Sequence, residues 1–215
     1  MQLTQAEPLA SGPVIPTRII RSVPADTSSE VEAFWDRVTF LHPGWEMVTY
    51  RDPIDPTVFP ITSPVWPLAK TGAQLAGLIR LEALWATGGI WLDSDVELFR
   101  PLTPLLHCSL FAAYEDPAVI PDAVLGATVA HPAIGDCLAE ALRRIRSDST
   151  DWRTGNGAWS TGPGVTTSIL PMFPDALLLP PGCFYPVHYS EKHTIGRHQP
   201  APWEFGLHHW AGSWL

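Results

Sequence analysis

The residues whose types and spacing are best suited to chemistry are Asp93 and Asp95, separated by Ser94. Two carboxylates at i and i+2 on an extended chain project to the same side, roughly 6.6 Å apart by strand rise. At an effective dielectric near 20 their repulsion is about 2–3 kcal/mol, a cost that a shared cation removes. A hard divalent ion, Mn²⁺ or Mg²⁺, takes oxygen ligands, bridges onward to a diphosphate and neutralises charge building on a phosphate leaving group. His208 offers a neutral imidazole as a third ligand, with His209 beside it the weaker candidate. Arg80 precedes the pair and reads either as a diphosphate or sugar contact or as a surface ion pair with Glu82 or Glu97. Glu115 and Asp116 follow an expected strand and read as a solvated loop or as carboxylates reaching the same rim. Gly162, within Thr161-Gly162-Pro163-Gly164, could present backbone amides to a sugar or phosphate. Ser213 and Trp214 read as C-terminal packing or as groups closing over a ligand, while His188, His193 and His198 read as exposed loop residues.

An acidic pair needs a rigid platform, and the flanking sequence supplies one. Residues 71–87 carry Leu75, Leu78, Ile79, Leu81, Leu84 and Trp85 at helical spacing, and Gly88-Gly89 can cap that helix in a left-handed conformation. Ile90-Trp91-Leu92 is then a short apolar strand that runs straight into Asp93. In open α/β sheets ligands gather beyond the carboxyl ends of strands, where this pair falls. Upstream, residues 14–23 predict a first strand. Ser29 with Glu32 predicts a capping box, opening a helix that His42-Pro43-Gly44 stops, and residues 45–50 predict a second strand. Residues 51–67, with five prolines, read as a rigid loop.

Further along, residues 110–114 and 123–129 predict strands. Residues 132–146 predict a helix with Ile134, Leu138, Leu142 and Ile145 on one face. Residues 155–164 are glycine-rich and lead into a short helical stretch, and residues 171–202 look loop-rich. The expected fold class is α/β: a single domain over 1–215, with a Rossmann-like mixed sheet flanked by helices, a flexible tail over 1–13 and a loop-rich C-terminal third.

Composition narrows the function. Charged residues are 16% and hydrophobic ones 46%, a composition that folds. The 13 Lys+Arg against 22 Asp+Glu give a net charge of −9, which repels polyanions and argues against nucleic acid. A phosphate-bearing ligand would therefore need a local cation. Cys108, Cys137 and Cys183 are widely spaced and odd in number, so they suggest free thiols in a reducing compartment, and the first residues carry no signal-peptide or membrane-span pattern. A cytoplasmic protein is the expectation. No Gly-x-Gly-x-x-Gly, Walker loop, nucleophile elbow or His-Glu-x-x-His occurs. An Asp-x-Asp phosphoryl-transfer enzyme usually opens its first strand with an aspartate, and residues 14–23 contain none.

Residues 80–97 (RLEALWATGGIWLDSDVE) resemble the signature of the DXD-containing glycosyltransferases of family 32, relatives of initiating mannosyltransferases and of capsule and toxin glycosyltransferases. Ile15-Pro16-x-Arg18-Ile19-Ile20 resembles the family's opening strand and His42-Pro43-Gly44-Trp45 its Asn-Pro-Gly-Trp turn. Thr161-Gly162-Pro163 and His208-His209-Trp210-x-x-Ser213-Trp214 resemble later blocks. The resemblance implies a GT-A fold, Mn²⁺ or Mg²⁺, a UDP- or GDP-hexose donor, a hydroxyl acceptor and retaining transfer. It puts Asp93 towards the donor sugar or ribose, Asp95 on the metal, Arg80 on the donor side and Trp91 at the family's tyrosine position, with Ile15, Gly162, Ser213 and Trp214 also donor-facing. Where the family has Ser-Asp before x-x-Arg, this chain has Ala76-Gly77, so a donor-binding carboxylate is missing. Glu82 or Asp116 could substitute. Otherwise donor affinity is reduced, or the chain is a non-catalytic sugar-nucleotide or glycan-binding protein of the same fold.

Overall fold

Four consecutive apolar residues at 110–113 leave a strand no polar face for solvent, so it must lie in a sheet covered on both sides. A computed structural model describes residues 12, 14–147 and 158–211 of the 215-residue chain. The elements run β1 (Arg18–Val23), α1 (Ser29–Leu41), β2 (Glu46–Arg51), α2 (Gly72–Thr87), β3 (Gly89–Leu92), β4 (Val96–Leu98), β5 (Leu110–Ala113) and β6 (Val124–Ala127). They continue with α3 (Pro132–Arg146), α4 (Ala158–Thr161), α5 (Pro163–Ile169), β7 (Ala176–Leu179) and β8 (Gly206–His208). Six strands form one mixed sheet in the order β2-β1-β3-β6-β5-β7. β2, β1 and β3 are parallel, β6 is antiparallel to both β3 and β5, and β7 is parallel to β5. A separate antiparallel pair, β4 with β8, joins the middle of the chain to residues 206–208.

Strand alternation divides the core in two. Ile20, Trp91, Leu110, Ala112 and Leu125 join α2 and α3 on one face, against Leu78, Leu81, Leu84, Ile134 and Leu138. Ile19, Ile90, Leu92, Phe111, Ala113 and Val124 face the other way, onto Ile15, Val38, Leu98, Phe184 and Tyr185. The expected α/β class with a mixed sheet between helices therefore stands. Among the described residues no helix is long and apolar enough to cross a membrane. Cys137 and Cys183 are buried and Cys108 partly so, and all three are free.

Several local expectations change. The first strand begins at Arg18 rather than Val14, because the Val14 and Ile15 amides both donate to the Leu106 carbonyl and Pro16 has no N–H to give. The α1 cap is Ser28, whose Oγ accepts the Val31 amide. Glu32 closes no capping box, because its carboxylate is taken by Arg21 and Arg51. His42 ends that helix by sequestering its own ring: Nδ1 donates to the Val38 carbonyl at 2.7 Å and Nε2 accepts the Leu102 amide at 2.9 Å. The proline-rich loop is pinned to α2 by Glu82, which accepts from the Ile61 amide and from both the amide and hydroxyl of Thr62. The loop-rich final third also contains two strands, β7 and β8, whose partners are distant in sequence.

Candidate active site

Gly88 and Gly89 build the platform. Both have positive φ, 59° and 106°, which lets α2 reverse directly into β3, and a Cβ on Gly89 would meet the Arg18 carbonyl at 2.9 Å. β3 then delivers Asp93, whose amide donates to the Ala123 carbonyl at 2.8 Å. The chain does not stay extended: the Val96 amide folds back on the Asp93 carbonyl at 3.0 Å, so Asp93-Ser94-Asp95 forms a turn. The two carboxyl groups still converge, but by turn geometry rather than strand pleat.

Asp93 Oδ1 accepts the Trp91 indole N–H at 2.7 Å and is ion-paired with Arg80. Arg80 is 4% exposed and makes neither expected surface pair, with Glu82 nor with Glu97. Its other terminal nitrogen engages Asp122, itself 7% exposed, and its guanidinium lies over the Trp91 ring. Asp95 is buried. Its Oδ1 lies 3.1 Å from His208 Nε2, its Oδ2 accepts the Ala211 amide at 2.8 Å, and its carbonyl accepts the His209 amide at 2.9 Å. β8 carries His208 to this point through its pairing with β4. Trp210, at φ 56°, folds its ring to 4.1 Å from His208.

The electrostatics follow from this packing. Burial is the strongest influence on Asp95 and opposes its charge. The opposite charge of His208, its hydrogen bond and the Ala211 amide outweigh it and hold the carboxyl at about 2. Burial also opposes charge on His208, yet Asp95 first, then Asp93 and Glu115, raise its pKa above the usual value.

One ligand atom from each of Asp93, Asp95 and His208 lies within 4.8 Å of the others, a set of two oxygens and one nitrogen that fits Mn²⁺ or Mg²⁺. A second observation agrees. Among the described residues four buried side-chain polar atoms lack a hydrogen-bond partner, and three belong here: Arg80 Nε, the Tyr185 hydroxyl and His208 Nδ1. Native interiors partner nearly all such atoms, through protein groups, water, ions or ligands, so three at one place set this site apart from the rest of the described interior.

Other expected residues are more scattered. Glu115 is largely buried, accepts the Tyr189 amide and stands 3.3 Å from His188, with Asp116 at 3.5 Å from the same ring. His188 thus stands beside two carboxylates rather than free in its loop, and His198 contacts Glu204 at 2.7 Å, whereas His193 is exposed as expected. Glu82 is committed to the 61–62 loop and cannot replace the missing carboxylate. Asp116 Oδ1 caps the Ala118 amide. Ile15 is 1% exposed in the core, and Gly162 caps α5. Ser213 and Trp214 lie outside the described residues. Position 77 has no room for a side chain, since a Cβ would meet the Thr161 carbonyl at 2.7 Å. Asp122 and Tyr185 escaped the sequence reading. Asp122's only local signal is a charge just before the apolar run at 123–127, and Tyr185 sits unmarked among apolar neighbours.

Residues 35–112, which contain Arg80, Trp91, Asp93 and Asp95, match the family described as the glycosyltransferase sugar-binding region containing the DXD motif. The chain is also similar to inositol phosphoceramide mannosyltransferase 3 of Schizosaccharomyces pombe, at 33% identity over 97 residues. That alignment takes in 43% of this chain and 27% of the relative, so the chain matches about a quarter of the yeast protein's length. Among solved structures, the PaToxG glycosyltransferase aligns with a TM-score of 0.56 at 14% identity, over 75% of this chain and 69% of that one. The likeness is one of fold and agrees with the mixed sheet described above.

Proposed function

We infer that this chain is a metal-dependent glycosyltransferase of GT-A type that moves a hexose, with retention, from a nucleoside-diphosphate sugar to a hydroxyl acceptor. The observation that carries the reading is the convergence of Asp93, Asp95 and His208 at the carboxyl end of β3, with Arg80 fixed against Asp93. Asp93, Asp95 and His208 would hold Mn²⁺ or Mg²⁺, which as a Lewis acid stabilises charge on the departing diphosphate. The chain's own groups do the rest. Asp95 stays ionised across the physiological range, Trp91 and Arg80 fix the Asp93 carboxylate towards the donor, and the rings of Trp210 and Tyr185 cover the imidazole against water. Glu115 and Asp116, on the His188 side, would border the acceptor.

Retention and the nucleotide donor are supported by the resemblance of the 80–97 signature. The name of the yeast relative makes a mannose donor the first to try. Three free thiols fit a cytoplasmic setting. One observation favours a second reading, a non-catalytic binder of sugar nucleotides or glycans: Gly77 packs on Thr161 with no room for the carboxylate that the family resemblance implies there.

The deciding experiment incubates the full chain with Mn²⁺ and a panel of UDP- and GDP-sugars. Thermal stability and donor hydrolysis are followed for wild type and Asp95→Ala. The enzyme reading expects metal-dependent stabilisation with turnover, both lost in the variant. Stabilisation without turnover selects the binder, and no metal-dependent response to any donor removes both.

A further inference from the structure

We propose that the Tyr185 hydroxyl reads one hydroxyl of the sugar bound in this site, making Tyr185 a specificity-determining residue; the inference rests on the glycosyltransferase reading above. Tyr185 follows a short turn at Pro181–Cys183 and is 2% exposed. Its ring packs edge-on to His208 with centroids 5.8 Å apart, and tilted against Trp210 at 5.7 Å. Phenylalanine would serve that packing equally, as it does one residue earlier at Phe184, which stacks on Phe205. The extra oxygen therefore needs its own account.

The Val124 backbone amide approaches that oxygen, but no hydrogen bond of ordinary geometry forms and its O–H has no acceptor within the protein. Burying a hydroxyl without a partner costs about 1–3 kcal/mol, so folding alone gives no reason to keep it. A phenol keeps its proton at neutral pH, so this buried hydroxyl is a donor in search of an acceptor.

The surroundings select the acceptor. The charges acting on the hydroxyl are the carboxylates of Asp93 and Glu115 and the guanidinium of Arg80, and Arg80 is already shared with Asp122. Carboxylates outnumber the guanidinium, so a phosphate oxygen is repelled from this spot and belongs instead with the metal-binding group. A neutral alcohol is suited to it. It accepts a hydrogen bond from Tyr185 and at the same time donates one to a carboxylate, satisfying both. A sugar carries several such alcohols, and a site that hydrogen-bonds one of them discriminates strongly against its absence.

Tyr185→Phe removes only this oxygen. The expected outcome has four parts, all read on the full-length chain. The melting temperature without ligand is equal or higher, because an orphan polar group is gone. Stabilisation by Mn²⁺ with UDP or GDP alone is unchanged. kcat/KM for the accepted intact donor, by hydrolysis or transfer, falls about 10–100-fold, the size of one lost hydrogen bond to a buried group. Across a series of monodeoxy donors, one analogue loses a similar factor on wild type and nothing further on the variant. Identical kinetics for wild type and variant on every donor would overturn the proposal, as would an equal loss on every deoxy donor together with lost stabilisation by the bare nucleotide. A wild-type chain silent towards every donor sinks the parent reading and this one with it, whereas a responsive wild type matched by its variant sinks this one alone.

Discussion

Arg80 holds two carboxylates, Asp93 at one terminal nitrogen and Asp122 at the other, and all three side chains are largely withdrawn from water. A planar guanidinium clamped at both ends cannot rotate, so Asp122 sets the direction in which Arg80 and Asp93 face a ligand. Asp122→Asn keeps the shape and removes the charge. It should lower stability by about 2 kcal/mol, less than the 3–5 kcal/mol typical of stranding a buried charge, because Asp93 still neutralises Arg80. It should also cut kcat/KM for the donor roughly tenfold while Mn²⁺-dependent stabilisation persists; an unchanged kcat/KM would show that Asp122 is only structural. The sequence revealed Asp93, Asp95 and Arg80 because they lie within one helix–strand unit. Asp122 and Tyr185 come from segments that reach the site through tertiary packing alone, and no local spacing marks them. His208 was legible as a candidate, but its partnership with Asp95 depends on the pairing of β4 with β8.

α1 is fastened to the sheet edge by an ion cluster. Glu32 accepts from Arg21 on β1 and from Arg51 at the end of β2, with Thr27 adding a hydroxyl, and Arg21 also lies over Trp35. The Thr27 hydroxyl and the two guanidinium groups hold the Glu32 carboxyl at about 2, below its ordinary 4.5. A carboxyl depressed on folding contributes stability that is fully present above its unfolded pKa and is lost as pH falls through its folded pKa. The wild-type melting temperature should therefore drop between about pH 5 and pH 2 more steeply than that of Glu32→Gln. Parallel melting curves across that window would dissolve the cluster argument. α2 and α3 were readable because their apolar residues recur at helical spacing and their ends carry standard signals, Thr71 and Gly88 for α2 and Pro132 for α3. β7 and β8 were not, because short strands in proline-rich sequence are specified by their partners: β5 for one, β4 for the other.

On the scale of the whole molecule, the sheet separates two apolar layers, and Cys137 lies deep in the one beneath α3, fully buried. Burial is the main cause that pushes its thiol up to about 12, so at pH 8 only roughly one molecule in ten thousand carries the reactive thiolate. A thiol reagent under native conditions should label the partly exposed Cys108 first, and Cys137 only at the rate of global unfolding, followed by mass spectrometry of the labelled peptides. Labelling of both at one rate would mean that α3 does not close over the sheet. The same architecture has a consequence in time. Asp95 and His208 meet across 113 residues of chain. At a synthesis pace of roughly 5–20 residues per second, the acidic turn leaves the ribosome on the order of 6–20 s before its imidazole is made. Throughout that interval the nascent protein can fold much of its sheet yet has no β8, so the grouping of Asp93, Asp95 and His208 is complete only once residues 206–208 have been made and paired with β4.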